Sequence, residues 1–424
     1  MPTTEERLEV FLNDLPLGSV YRASGGKLRF RYDENYLTTG SGIPFSLSMP
    51  LVGSEYPHEK VHPFLWGLLP DNEQLLQHWA SRFHVSTSNA FGLLRETGED
   101  CAGAIRFIRE DRLNDCRRGG KDPLSEADVE RRLAEIKRDP ALGREPGDRG
   151  QFSLAGAQAK TALQRVDGRW FLPWGTEPTT HILKPPRPEL SGHVENEHFC
   201  LQLARRLGLS VATSEIVQFG TETAIVIARY DRTKTGESIT RVHQEDMCQA
   251  LSVHPAKKYE NEGGPGVRAI MDLLNQSSNP HEDRDRFMRA VVFNYVILGS
   301  DAHAKNYSLL LGAGGRARLA PLYDIASLLP YAQQPRDRRL AMRVDRAYRD
   351  DQIRPHHFEK MARQCEYSSI RIREIIHDYI QRIPILSESL GVELRQNGIK
   401  HPILQTVNEC LQLRCHELAE RFGC

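Results

Sequence analysis

The sequence predicts an α+β chain of two unlike lobes, β-rich towards the N-terminus and helical towards the C-terminus, with an extra mixed subdomain in front. Three observations predict it. Up to about residue 230 many segments alternate apolar and polar residues, as "GKLRFRYD" does, which is the period of two that strands need. Beyond 240 the apolar residues recur at helical spacing, as in "GVRAIMDLLNQ" and "DRFMRAVVFNYVIL". A length of 424 residues also exceeds what one compact core holds, so two or three domains are expected.

Residues 1–110 read as the extra subdomain. "LEVFLNDLPLGSVYR" and "GKLRFRYD" are short antiparallel strands around turns, and "NAFGLLRETGEDCAGAIRFI" closes the block with a helix, a turn and a strand. Residues 111–150 read as a linker with a helical insert. "EDRLNDCRRGGKDP" and "RDPALGREPGDRG" are charged and rich in Gly and Pro, as linkers are. Between them "SEADVERRLAEIKRD" carries Val129, Leu133 and Ile136 at helical spacing, behind a capping box of Ser125 and Asp128. Residues 151–232 form a strand-rich lobe interrupted by "VENEHFCLQLARRLG", a helix that Gly208 ends. Residues 233–424 form the helical lobe, broken by short apolar segments near 307–311 and 317–325. Within it "PRDRRLAMRVDRAYR", with six Arg against two Asp, reads as a solvated helix face rather than an electropositive patch.

Composition narrows the class. A formal net charge of zero implies no global attraction to nucleic acid or to a membrane. No apolar run approaches the roughly 18–20 residues that span a bilayer. "MPTTEERLEVFLND" is acidic where a signal peptide is basic and then apolar. The eight cysteines are scattered with no CxxC pair, which argues against a disulfide framework or a zinc site and fits a reducing cytoplasm.

"LGSDAHAKNYSLLL", residues 298–311, places Asp301, His303, Lys305 and Asn306 between two apolar runs. Asp301 stands five positions before Asn306. Protein kinases use that spacing, the Asp taking the acceptor hydroxyl proton and the Asn holding magnesium. A second metal-holding Asp is then needed downstream, and "LAPLYDIASLLP" supplies Asp324 where a hairpin would return it. Such oxygen ligands suit Mg²⁺. His303 stands where many kinases place a phosphate-steering Lys. Turn formation explains the Asp and Asn equally well, and Asp301 with His303 also fits a metallohydrolase pair that nothing else in the sequence completes. "TTHILKPP" offers Lys184 to the phosphates at the end of an apolar strand, or as an exposed edge Lys, with Glu195 and Glu197 of the next helix as partners. "SLAGAQAK" offers Gly156 as a backbone cradle, or as a plain tight hairpin. "TAIVIARYDR" places Ala228, Arg229 and Tyr230 at a hinge where backbone groups would meet an adenine. Small-residue loop, strand Lys, acidic helix, hinge strand, Asp-x₄-Asn and late Asp follow the order of a two-lobed protein-kinase-like fold.

"SLAGAQAKTAL", "TTHILKPP", "VENEHFCLQLARRLGL", "RYDR", "HQEDMCQAL", "KYENEGGPG", "GSDAHAKNYS" and "LAPLYDIASLLP" resemble the HipA family of serine/threonine kinase toxins. "RFRYDENYL", "SLSMPL", "GLLPDN" and "GEDCAGA" fit that family's N-terminal subdomain, so the resemblance covers nearly the whole chain. It implies a bacterial, ATP- and Mg²⁺-dependent kinase paired with a HipB-like helix-turn-helix antitoxin in a DNA-bound repressor. Its acceptor would be an aminoacyl-tRNA synthetase. It implies that Asp301 is the general base, that Asn306 and Asp324 hold Mg²⁺, and that Lys184 contacts the phosphates. Ala155, Gly156, Ala157, Gln158, Ala159 and Lys160 would form an ejectable nucleotide loop. His303, Ala304, Lys305 and Asn306, with Tyr323 and Asp324, would line the nucleotide, and Ala228 to Tyr230 would be the hinge. Ser153 matches an autophosphorylated serine that switches the kinase off. Of two basic residues expected at operator DNA, Arg363 is kept, while the other position falls on Glu366, which phosphate would repel. DNA contact would thus run mainly through the antitoxin. The competing reading is an antitoxin-binding co-repressor with little kinase activity.

Overall fold

The computed structural model describes residues 5–38, 42–113, 118–139, 152–236, 238–332, 334 and 338–424. They divide into two compact units, Met1–Pro185 with Val217–Ala256 and Leu309–Ala317, and Pro186–Ile216 with Lys257–Ser308 and Arg318–Cys424.

The first unit opens with an antiparallel sheet ordered Glu55–Tyr56, Leu28–Tyr32, Leu15–Arg22, Glu6–Leu12, Ile105–Ile108. Leu8 opposes Val20, which in turn opposes Phe30. All three are buried in one core with Phe45, Phe64 and Leu94. Full burial of each such side chain contributes roughly 1.5–3 kcal/mol. A second sheet in this unit runs from Glu222–Ala228 through His181–Lys184, Thr161–Val166 and Arg169–Gly175 to Gly119–Leu124. Its last strand and the helix Glu126–Arg138 come from the stretch expected as a linker. Ser125 caps that helix with a complete capping box on Asp128, as the sequence predicts. Val129, Leu133 and Ile136 then bury their stripe against Leu163, Leu183 and Val226 of the sheet. The remainder of that expectation, residues 114–117 and 140–150, lies outside the described residues.

The second unit is helical. Asn279 caps Pro280–Val296, with Pro280 at the first helical position, where its missing N–H costs nothing. Ser368 caps the long helix Ser369–Gln396, and Ile403–Phe422 closes the chain. Phe293 meets Tyr379 edge to face with ring centroids 6.3 Å apart. A buried pair, Arg414 Nη1 to Asp350 Oδ2 at 2.7 Å, ties the last helix to the turn at Asp350–Gln352. From Arg339 on, the segment expected as a solvated helix face is instead a β-hairpin, Arg339–Val344 against Ala347–Arg349, while its residues 335–337 lie outside the described residues. In "RLAMRV" Leu340, Met342 and Val344 share one strand face while Arg339 and Arg343 are exposed on the other, and Asp345 makes the turn at φ +54°.

Among the described residues, no helix is long and apolar enough to cross a membrane.

Candidate active site

Half of the expected residue set lies in the first unit. Lys184 closes the strand His181–Lys184, which pairs with Thr161–Val166 on one side and Glu222–Ala228 on the other. It is therefore an inner-strand lysine, 6% exposed, and not the exposed edge residue that a lone Lys usually is. Upstream, Phe152 makes an isolated bridge to Asp100, and Ser153 follows it. Ser153 N–H donates to Asp100 O at 3.0 Å and its hydroxyl donates to Leu68 O at 2.7 Å, fully buried. The small-residue segment follows. Gly156 takes φ +105°, a conformation that favours glycine, and Lys160 Nζ would lie 2.4 Å from a Cβ placed there. Lys160 Nζ donates to Ala155 O at 2.6 Å, folding the loop on itself. Asp71 N–H donates to Gly156 O at 3.2 Å, and Asn72 Nδ2 to Ala157 O at 3.4 Å. Gln158 Nε2 donates to Pro185 O at 3.3 Å, one residue past Lys184. The motif "GLLPDN" thus holds the loop that "SLAGAQAK" forms.

Ala228 ends its strand opposite His181, and the Arg229 N–H donates to Thr180 O at 2.9 Å. The Arg229 side chain is buried in a cluster of three arginines and two aspartates. Asp100 receives Arg241 Nε at 2.8 Å, Arg232 Nη2 at 3.0 Å and Thr179 Oγ1 at 2.7 Å. Asp231 receives Arg229 Nε at 3.0 Å and the Gly103 N–H at 2.7 Å. Burial pushes the Asp100 carboxyl up, but Arg232, Arg241 and Arg229 together hold it well below the usual carboxylate range. The expected hinge residues are therefore anchored by "GEDCAGA". Tyr230, between the two buried residues, hydrogen-bonds Gln244.

The other half lies in the second unit. Pro280–Val296 ends, Leu298 turns at φ +52°, and Gly299 N–H donates to Asn294 O at 2.7 Å. Asp301 then stands with its side chain 69% exposed. Its carbonyl accepts His303 N–H at 2.7 Å and Asn306 Nδ2 at 2.8 Å, which closes a tight turn. His303, Ala304, Lys305 and Asn306 are all buried. Downstream, Ala320 N–H donates to Ser308 O at 2.8 Å, and Tyr323 hydroxyl to Lys305 O at 2.7 Å. This return brings Asn306 and Asp324 to one small cavity of about 10 Å³, shared with Asn294 and Tyr323. Asn306 commits its Nδ2 to the Asp301 carbonyl, which leaves Oδ1 for a cation. Asp324 takes φ +56°, a left-handed conformation that costs a non-glycine residue roughly 1–3 kcal/mol. Asn196 clamps the next turn through both amide atoms, 3.0 Å from Ser327 N and 2.8 Å from Ser327 O. Amide and carboxylate oxygens on one small cavity are the hard donors Mg²⁺ takes, so the residues present fit that ion.

Glu195 and Glu197 are buried near the start of His193–Arg206. Arg363 is an exposed residue of Pro355–Gln364, 3.9 Å from Glu359, and Glu366 lies just past that helix at φ +50°. One residue escaped the sequence reading. The Tyr259 hydroxyl donates to Asp301 Oδ1 at 2.6 Å, and its ring meets His303 edge to face, centroids 5.0 Å apart. Its signal was present in "KYENEGGPG", a motif that carried no assigned role. Tyr259 also lines a cavity of about 290 Å³ with Asn261, Ser300, Arg339 and Tyr348.

Comparison with known proteins gives concordant matches. Residues 152–385 match the model of the HipA-like C-terminal domain, and residues 8–108 that of the HipA N-terminal domain. The chain is 37% identical over 346 residues to putative kinase Y4mE of Sinorhizobium fredii, covering 80% of each. It is 31% identical over 355 residues to the serine/threonine-protein kinase toxin HipA of Shewanella oneidensis, covering 80% of this chain and 78% of that one. Among solved structures it is similar to the toxin–antitoxin complex of Shewanella oneidensis HipA, HipB and operator DNA. That match has a TM-score of 0.83 and 26% identity over 97% of both chains.

Proposed function

Because this chain belongs to the HipA family and is a serine/threonine protein kinase that uses ATP, we propose that it is the toxin of a toxin–antitoxin pair, with Asp301 as general base. The observation that carries the residue roles is the turn at 301–306. It exposes the Asp301 carboxylate and fixes Asn306 by its amide nitrogen beside Asp324. Asn306 Oδ1 and the Asp324 carboxylate hold Mg²⁺, which supplies charge neutralisation at the phosphates when bound. Lys184 and the amides of Ala155–Lys160 bind phosphate oxygens, and Ala228–Tyr230 takes the adenine edge. His303 to Lys305 and Tyr323 are the second unit's further candidates for nucleotide contact. Asp301 accepts the proton of the acceptor hydroxyl as that oxygen bonds the γ-phosphorus and the bond to the departing ADP breaks. Positioning and electrostatics supply most of such a reaction.

Family membership also supports autophosphorylation of Ser153, an aminoacyl-tRNA synthetase as acceptor, a helix-turn-helix antitoxin, and work in the bacterial cytoplasm. Operator DNA in the related complex supports DNA binding through that antitoxin, with Arg363 as the one candidate contact on this chain. The test is the intact mass of the phosphatase-treated chain after incubation with Mg²⁺ and ATP, with Asp301→Asn alongside. Gain of one phosphoryl group by the parent, mapped to Ser153, is expected. The variant should react roughly 10²–10⁴-fold more slowly. A parent that gains nothing and phosphorylates no protein would leave the co-repressor reading in its place.

A further inference from the structure

We propose that Tyr259 is a positioning residue of the phosphoryl transfer, holding Asp301 through Oδ1 so that Oδ2 takes the acceptor proton. The inference rests on the kinase reading above and concerns a residue to which that reading gives no part. An exposed aspartate on a turn has three staggered χ1 wells and a broad χ2, and only a fraction of those states presents a carboxylate oxygen usefully. The Tyr259 hydroxyl, 2.6 Å from Oδ1, removes that freedom with a hydrogen bond to a charged acceptor. Among the described residues Oδ2 has no hydrogen-bond partner, so one oxygen is tied and the other is left to the acceptor.

The tyrosine is itself held. Its carbonyl accepts the N–H groups of Glu262 and Gly264, each at 3.0 Å. A Cβ on Gly264 would lie 1.9 Å from Lys257 O, so glycine is required for the loop to close. Next door, Glu260 is pinned by Arg343, Nε to Oε1 at 2.9 Å and backbone N–H to Oε2 at 2.8 Å. A second stitch joins this loop to the catalytic turn, Ala304 N–H to Lys258 O at 3.3 Å. The ring edge against His303 fixes the remaining rotation. All these residues belong to one unit. The same ring forms a wall of the cavity of about 290 Å³ beside Ser300, which has the room for a side chain of the acceptor segment.

The experiment measures phosphoryl transfer from radiolabelled ATP to casein, and to the chain itself, for the parent, Tyr259→Phe, Asp301→Asn and the double variant. Tyr259→Phe keeps the ring and the cavity wall and deletes only the hydroxyl. It should lower kcat about 10- to 100-fold, the effect of one hydrogen bond to a charged group, and leave KM for ATP and for casein within about twofold. In the Asp301→Asn background the same change should alter the rate by less than about twofold, because the hydroxyl acts only through that carboxylate. Tyr259→His, which keeps a ring donor, should recover part of the loss. Thermal melts of each variant guard against unfolding. Equal kcat for Tyr259→Phe and parent, or full additivity in the double variant, would overturn the proposal while leaving the kinase in place. A parent that labels neither casein nor itself would overturn the kinase reading and the proposal together.

Discussion

A lysine ammonium is strongly hydrated, so holding Lys184 at 6% exposure on an inner strand has a desolvation cost that only charge partners offset. Lys184→Met should test what that cost sustains. Methionine fills the volume of the stem, so the melting temperature should stay within a few degrees. Loss of one cation at the transferring phosphate should lower kcat/KM by about 10²–10³-fold. An unchanged rate would remove Lys184 from the phosphate site. Ser153 poses the converse case. Its hydroxyl has 0% exposure and donates to Leu68 O at 2.7 Å, so there is no room and no solvent for a phosphate where it stands. A group of about −1.5 to −2 charge must leave that place, and the loop 155–160 with it. Ser153→Asp should therefore weaken ATP binding about tenfold or more by calorimetry, and equal affinity would sink the switch. Asp301, Asn306, Asp324 and Lys184 were singled out in the sequence as candidates because each is a charged or amide group beside an apolar run. Tyr259 was not, because a tyrosine among charged and glycine residues gives no sign of which distant carboxylate it meets.

Helices and strands were legible wherever one face alone is buried. Glu126–Arg138 announced itself by its capping box and its Val129–Leu133–Ile136 stripe, although its packing against the second sheet did not show. "RRLAMRVDRAYR" misled because a short hairpin rich in arginine has the charge density of a solvated helix, and only Leu340, Met342 and Val344 record the strand period. Between elements, the cluster around Asp100 was invisible, since Asp100 stands more than a hundred residues before its arginine partners. Asp100 joins three arginines and, through its carbonyl, the Ser153 N–H, so it couples "GEDCAGA", "RYDR" and the segment that leads into residues 155–160 within one unit. Burial and the neighbouring Arg229 already depress Arg232 to about 10, which shows how finely the cations are balanced. Removing one of two aspartates leaves three buried guanidiniums facing one carboxylate. Asp100→Ala should thus destabilise the unit by about 3–5 kcal/mol, read as a drop in denaturant midpoint. A midpoint within error of the parent would mean that the arginines find other partners. Asp100→Asn, which keeps the Thr179 bond, should lose less.

Across the whole molecule, formal net charge is zero, so self-repulsion does not set the pH of greatest stability and buried groups do. Burial drives His243 to about 4 in the first unit and His198 to about 4 in the second. Both fold as neutral rings, so the unfolded chain binds more protons below about pH 6.5. The stability they carry is lost as pH falls from there towards 4. Glu245 acts in the opposite sense. Burial raises it to about 8, against the hydrogen bonds it accepts from Ser46 and Leu47. Its folded form holds a proton that the unfolded chain releases above about 4.5, so stability is lost as pH rises towards 8 and is level beyond. Between 4.5 and 6.5 these histidines, joined by His62 at about 4, outweigh the glutamate. Above 6.5 buried Glu245, with Glu260 shifted in the same direction by burial, sets the slope. The melting temperature should therefore peak near pH 6.5 and fall on both sides. Glu245→Gln, isosteric and uncharged, should flatten the limb between 6.5 and 8 and leave the acid limb as steep as before, in thermal melts taken every half unit. A variant that keeps the alkaline decline would place its origin elsewhere. A parent without that decline would mean that Glu245 ionises at its ordinary range because Ser46 and Leu47 suffice to hold its charge.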